Sequence, residues 1–339
     1  MVAGDETLLS LPVEGLSGSR LTAFTKLSAP NFPQLAITAR RARALGLDVA
    51  EPVALKLSAE ICAESILSLA ADAKIDWAIE STPAAAAAGA SIELAKLALG
   101  LPAVLVAPAP ARAVAFDFPM VTVNAEAVAH FRQDVVQSLR VTAEADMPLQ
   151  GGLSARIVVF SDAIGGGSAA AVIGRPDPMR PVLVRLHSAC LTGDVFGSRR
   201  CDCGDQLRLS LTQLDEAGGG VILYLAQEGR GVGLANKIRA YRLQDLGMDT
   251  VDANTTLGFD DDERDYDVAA RMLKLLGYTR ITLLTNNPAK VDGLADGGIE
   301  VCGRLPLVTP VHADNRRYLT ARAKRAGHDL TDVLADADC

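Results

Sequence analysis

The chain is poor in cysteine, in aromatic residues and in basic charge, and each shortage removes a class of protein. Six cysteines in 339 residues are too sparse for a disulfide framework. Aromatic residues make up 4% and the net charge is −8; nucleic acid, which wants cations for its backbone and rings for its bases, is not an expected partner. The longest uncharged apolar run, Leu97 to Ala111, has fifteen residues and is broken by Pro102, Pro108 and Pro110, so no segment is expected to cross a membrane. The start, MVAGDETLLSLPVEGL, lacks the three parts of a signal peptide, and the expected location is cytoplasmic. Neither an internal repeat nor a charged disordered tail is evident.

What is present is the composition of a globular protein, 49% hydrophobic and 22% charged, at a length that suits two modules. The first, residues 1–142, is a small α/β module. QLAITARRARALGL (34 to 47), AESILSLAADA (63 to 73) and SIELAKLALG (91 to 100) carry helical periodicity, whereas AVLVAP and PMVTVN read as short strands. AAAAAGA (84 to 90) reads as the entry to a helix started by Ser81-Thr82-Pro83. The second module, residues 143–330, is followed by a short tail, 331–339. It opens with a β-hairpin turning at GGG, after which PVLVRLHS, VILYLAQEG and TRITLLT read as strands between helices DQLRLSLTQLDEAGGG, LANKIRAYRLQDLG, ERDYDVAARMLKLLG and NPAKVDGLADGG. This alternation predicts an α/β domain with a largely parallel, mixed sheet and flanking helices. Ligands collect at the carboxyl ends of such strands, where His187, Cys190, Glu228, Arg230 and Thr285 fall.

Half of the cysteines, Cys190, Cys201 and Cys203, crowd into fourteen residues of HSACLTGDVFGSRRCDCGDQ. In a reducing compartment the cluster reads as metal or catalysis. Three thiolates leave one position of a zinc tetrahedron open, which separates a catalytic zinc from a structural one. With His187 as fourth ligand the same residues would make a closed structural site, and spacing alone does not decide between the two. Cys62, Cys302 and Cys339 have no ligand partner at metal spacing.

Three further clusters are ambiguous one by one. QEGRGVGLANKIRAY offers backbone amides and cations to a phosphate, or a solvated basic helix face. DDERDY (261 to 266) holds acids that favour a first helical turn, and this accounts for Asp261 and Glu263. TNNPAK reads as a strand-to-helix turn.

Taken in order, RLHSACLTGDVFGSRRCDCGDQL, QEGRGVGLANKIRAYRLQDLGMDTVDAN, LGFDDDERDY and LLTNNPAKV resemble the GTP cyclohydrolase II family over roughly residues 145 to 330. The resemblance implies a zinc on Cys190, Cys201 and Cys203 and hydrolytic opening of the guanine imidazole ring of GTP at C8, with loss of formate. It also implies cleavage between the α- and β-phosphates, releasing pyrophosphate and giving 2,5-diamino-6-ribosylamino-4(3H)-pyrimidinone 5′-phosphate, the entry to riboflavin biosynthesis. Asp262 falls at the family's proton acceptor, Arg264 at the residue assigned as nucleophile toward the α-phosphate, and Tyr241 at a tyrosine needed for turnover. Because a guanidinium is always protonated, a stabilising role for Arg264 on the phosphorus is the better physical account. The implied GTP contacts are Arg185, Leu186, His187, Ser188, Ala189, Gln206, Glu228, Gly229, Arg230, Thr250, Thr285 and Lys290, with Mg2+ on the phosphates. A homodimer is the family's expectation.

Two departures stand out. Ala189 occupies a position where some members carry an acid. The front module, where many bacterial relatives carry 3,4-dihydroxy-2-butanone 4-phosphate synthase, has no DxExxRE-like cluster; GDETLL is the nearest acidic stretch. A non-catalytic front module is therefore expected. The alternatives are a GTP-binding regulator or assembly subunit that has lost turnover, and a related hydrolase with a different product.

Overall fold

The computed structural model of the protein describes residues 1–73, 75, 80–110 and 120–325. The chain divides into two compact units, Met1–Arg132 with Val232–Glu263, and Gln133–Gly231 with Arg264–Cys339. Segment 232–263, part of the second module by sequence, packs with the first.

The first unit is built on six strands, β1 (Val2–Ala3), β2 (Glu6–Pro12), β3 (Gln34–Ile37), β4 (Val53–Lys56), β5 (Ser81–Pro83) and β6 (Ala103–Pro108). They pair in the order β1-β2-β6-β3-β4-β5, antiparallel throughout. Leu35 and Ile37 of β3 enter one core while Ala36 enters another, and β6 divides likewise, Leu105 against Val104 and Val106. A pleated strand sends successive side chains to opposite faces, and with both faces covered it reads as one apolar run. Helix Ala86–Leu97 covers one face. The other holds Phe24, Ile66 and Leu69 together with Val232, Ala240, Leu243, Ala253, Leu257 and Phe259 of the distant segment.

Local readings fail here in three places. QLAITARRARALGL is not one helix: QLAI is β3, held by β4 and β6, and only Ala39–Ala44 is helical. Cross-strand pairing on both sides overrides the helical periodicity. AAAAAGA does enter a helix, which begins at Ala86, but Ser81–Pro83 pairs with β4 instead of starting it. Of PMVTVN, Pro119 lies outside the described residues and the rest forms no strand; Asn124 makes one isolated bridge to Val2.

The second unit has seven strands, β7 (Arg140–Pro148), β8 (Ser154–Ser161), β9 (Ser168–Gly174), β10 (Val182–Ser188), β11 (Gly219–Leu225), β12 (Arg280–Leu284) and β13 (Glu300–Leu305). Their order is β13-β12-β10-β11-β9-β8-β7. The first four run parallel and the last three add antiparallel strands, the α/β mixed sheet that the alternation of elements predicts. Val184 and Leu186 of β10 join Val221, Leu223 and Leu225 of β11 in the main core, with Ala269, Met272 and Leu273 of helix Asp267–Leu276. Leu183 and Ile222 face the other way, against Leu207, Leu211 and Leu214 of helix Cys203–Glu216. By the same alternation Arg185, His187 and Tyr224 stand on that second face. The acids of DDERDY precede the helix instead of opening it; its first residue is Asp267.

Candidate active site

Polar groups gather where β10 ends. Arg185 is buried, and its Nη1 donates to the Leu284 carbonyl at 3.0 Å while Nη2 donates to Gln206 Oε1. The Gln206 amide donates in turn to Asp202, a buried carboxylate that also accepts from Thr309 Oγ1 at 3.3 Å. Gln206 is thereby locked between a guanidinium and a carboxylate, which fixes which end of its amide is oxygen. Lys290, also buried, donates to the Leu186 carbonyl at 2.8 Å. Leu186 contributes only that carbonyl, its side chain being in the core.

His187 is 2% exposed, and its Nε2 lies 3.1 and 3.2 Å from the two oxygens of Asp194. Burial lowers the imidazole pKa, with Arg185 and Lys290 adding to the effect and Asp194 opposing it. The carboxylate can only accept, so Nε2 carries the hydrogen and Nδ1 is left as an acceptor. The parallel register sets His187 beside Tyr224, and their rings stack at 5.5 Å. Tyr224 Oη donates to Asp194 at 2.8 Å, and the Cys190 N–H donates to the same oxygen at 3.0 Å. Asp194 thus ties the imidazole, the phenol and the start of the thiol loop together. Burial and this carboxylate push the Tyr224 phenol well up from its usual range. Among the described residues, His187 Nδ1, Ser188 Oγ and Gln227 Oε1 are buried here without a hydrogen-bond partner.

Residues 191–195 make one wide helical turn that carries the chain from Cys190 toward Cys201, and Cys203 begins the next helix. The three sulfurs lie within 4.8 Å of one another, Cys190 and Cys201 at 3.7 Å. Sulfurs about 2.3 Å from a tetrahedral zinc are about 3.8 Å apart, so the cluster fits the ion the resemblance implies. The metal-competent group among the described residues holds the three thiols without His187. Closeness depends on glycine at two points. A Cβ on Gly193 would sit 3.1 Å from the sulfurs of Cys190 and Cys201, and one on Gly204 2.3 Å from the Gly193 carbonyl oxygen. Contact with Cys190 pushes the Cys201 thiol up to about 11, and contact with Cys190 and Cys201 raises the Cys203 thiol as well. A divalent ion reverses that shift.

Beyond β11, Gly229 and Arg230 both adopt left-handed backbone, each with φ 64°. Glycine does so freely and arginine does not, so Arg230 is strained and held by its surroundings. The Glu228 carboxylate accepts the N–H groups of Leu191, at 2.7 Å, and Gly229, at 3.2 Å, bracing the thiol loop against this turn. Ala189 is anchored by its N–H on the Leu225 carbonyl at 2.8 Å. Thr285, buried at the end of β12, accepts from the Asn287 N–H at 3.0 Å, and Asn287 caps the helix bearing Lys290. Arg264 lies over the Tyr266 ring at 5.6 Å.

The second unit therefore carries every residue singled out in the sequence except Tyr241, Thr250 and Asp262, which belong to the first. There Lys237 lies over the Tyr241 ring at 5.8 Å, Thr250 accepts from Gln244 Nε2 at 3.4 Å, and Asp262 is exposed. Sequence reasoning missed Asp194, Asp202 and Tyr224. An acid inside the thiol loop was a usable signal for Asp194; the role of Tyr224 needs the register of β10 on β11.

Thiols, a neutral imidazole and buried cations at the carboxyl edge of a mixed sheet define, in an α/β protein, a metal-competent site suited to an anionic ligand. Residues 140–306, just under half of the chain, match the GTP cyclohydrolase II family. The chain is 50% identical over 210 residues to GTP cyclohydrolase-2 of Azospirillum brasilense, covering 62% of this chain and 54% of that protein. It is 44% identical over 218 residues to riboflavin biosynthesis protein RibBA of Endomicrobium trichonymphae, covering 64% and 53%. With GTP cyclohydrolase-2 of Xylella fastidiosa strain Temecula1 it shares 52% identity over 185 residues, covering 54% and 46%. The chain spans about half the length of the curated relatives it matches.

Proposed function

We propose that this protein hydrolyses GTP, opening the guanine imidazole ring with release of formate and pyrophosphate, as the first step of riboflavin biosynthesis. The observation that carries the reading is the convergence of Cys190, Cys201 and Cys203 in a cradle sized for one zinc ion. When bound, zinc supplies Lewis-acid activation of water for attack at C8.

The chain's own groups do the rest. Arg185 and Lys290, fixed and partly desolvated, hold positive charge where a triphosphate must lie, joined by Arg230 and by Mg2+ carried with the nucleotide. Nδ1 of His187 and Ser188 Oγ, the buried atoms lacking partners, offer hydrogen bonds to the substrate's polar edge. Gln206 presents a pre-oriented amide, and Glu228 acts chiefly by holding the thiol loop. Asp262 accepts the proton from the attacking water, Tyr241 supports turnover, and Arg264 stabilises charge on the α-phosphate. Thr250 and Thr285 complete the nucleotide contacts, in a homodimer.

Incubation of the purified chain with GTP, Mg2+ and Zn2+, with formate and pyrophosphate followed together, tests this. Both products are expected, with formate lost on chelation and in Cys203→Ser. Neither product from the zinc-loaded protein would favour a GTP-binding regulator.

A further inference from the structure

Asp262 stands in an irregular stretch between helix Thr250–Thr256 and helix Asp267–Leu276, with no ladder of backbone hydrogen bonds to fix it. Side chains take over that task. Glu263 Oε1 accepts the Asp260 N–H at 2.9 Å, closing a turn around Asp261 and Asp262, and takes Lys96 Nζ at 2.8 Å. Lys96 projects from helix Ala86–Leu97, its side chain only 8% exposed, and also reaches Glu93 at 3.5 Å and Asp260 at 3.9 Å. Arg40 Nε binds Asp260 at 3.0 Å. Two cations of the front module thus grip the acids two residues before and one after Asp262. Burial works to lower the Lys96 pKa, but Glu263, with Glu93 and Asp260, outweighs it and the ammonium is held above its ordinary value. The Arg40 pair is exposed and weak; the buried lysine is the anchor.

We propose that Lys96 is a positioning residue for Asp262, and that holding the Asp260–Glu263 turn is what the front module contributes to the reaction. The proposal rests on the functional reading above, in which Asp262 accepts a proton. A group acting through geometry fails differently from one that merely stabilises the fold: a displacement of about 1 Å costs up to roughly a hundredfold in rate.

The test uses the full zinc-loaded chain and the variants Lys96→Met, Lys96→Arg and Glu263→Gln. In Lys96→Met, kcat per zinc is expected to fall roughly tenfold to a hundredfold, with KM for GTP and zinc content near the parent's and most of the rate recovered in Lys96→Arg. In an Asp262→Asn background the same change should cost little more, since two groups acting through one do not add. Additive losses, or full kcat in both Lys96→Met and Glu263→Gln, overturn the proposal. Hydrogen exchange reads the clasp without turnover: faster exchange confined to amides 258–264 is expected in both variants, and unchanged exchange overturns the proposal whether or not the chain makes formate. Loss of protection in the variants of a parent that makes no formate upholds the clasp and sinks the functional reading alone.

Discussion

Arg41 in the first unit and Arg185 in the second are both buried guanidiniums, 1% and 4% exposed, but they are used differently. Arg41 spends Nε, Nη1 and Nη2 on the carbonyls of Leu69, Thr256 and Ser68, at 2.8, 2.7 and 3.0 Å. Its neighbours behave alike: Thr38 donates to the Gly258 carbonyl and Asn236 to that of Leu99, each joining residues far apart in sequence. Arg185 gives one bond to the Leu284 carbonyl and enters a relay of side chains through Gln206 and Asp202, near buried acceptors without a partner among the described residues. Buried polar groups that are saturated hold a fold together, and those left partly unsaturated at a sheet edge are where a ligand fits. The contrast identifies the bonds of Arg41, Thr38 and Asn236 as scaffold, within a unit that also carries Tyr241, Thr250 and Asp262.

The most severe way to break this distinction is to delete residues 1–132. Ala240, Leu243, Ala253, Leu257 and Phe259 would lose the core they share with Leu35, Leu55 and Leu105. The remaining chain is expected to be insoluble or, if soluble, to give no formate and no protection of amides 234–259 in hydrogen exchange. A soluble fragment with full turnover would show that segment 232–263 folds without the front module.

A matched pair of buried cations sharpens the comparison. Arg41→Met leaves three carbonyls without a donor and should cost about 3 kcal/mol of stability, read from urea midpoints. Burial holds the Arg41 pKa down to about 10, with Asp72 opposing, so the guanidinium stays charged at neutral pH and the loss should not vary between pH 6 and 8. Lys290→Met should cost less than about 1 kcal/mol, because an apolar side chain of similar length removes a buried charge, yet reduce kcat/KM for GTP at least roughly a hundredfold. Equal stability losses in the two variants would erase the distinction between scaffold and site.

Much of the second unit was legible in its sequence because both faces of its sheet are covered and its strands read as apolar runs ended by polar loops. VLVRLHS and VILYL announce β10 and β11, and the spacing of the thiols announces the cluster. The first unit was less legible for the reason that makes it a scaffold: its interactions are long-range. QLAI becomes a strand only because β4 and β6 flank it, and Glu263, which locally reads as a helix-starting acid, takes its meaning from Lys96. The bond between Asp194 and His187 Nε2 was not legible, because it depends on a loop geometry that spacing does not encode.

The smallest effect belongs to a contact at the edge of the scaffold. Glu14 accepts from Arg239 at 2.7 and 3.0 Å and from the Leu101 N–H at 3.3 Å, again linking the front module to segment 232–263. Burial pushes this carboxyl up, but the Arg239 hydrogen bond and charge, with the Leu101 N–H, outweigh it, and the net shift is downward. A lowered folded-state pKa means that the contribution is present above the ordinary carboxylate value, about 4.3, and is lost as pH falls through the lowered one. The side chain is 41% exposed, so solvent screens the pair and the contribution is about 0.5 kcal/mol. Urea midpoints of the parent and Glu14→Gln should therefore differ slightly at pH 7 and converge on acidification, with kcat unchanged throughout. A gap that persists in acid would make Glu14 a packing contact, and a change in kcat would extend the positioning role of the front module beyond Lys96.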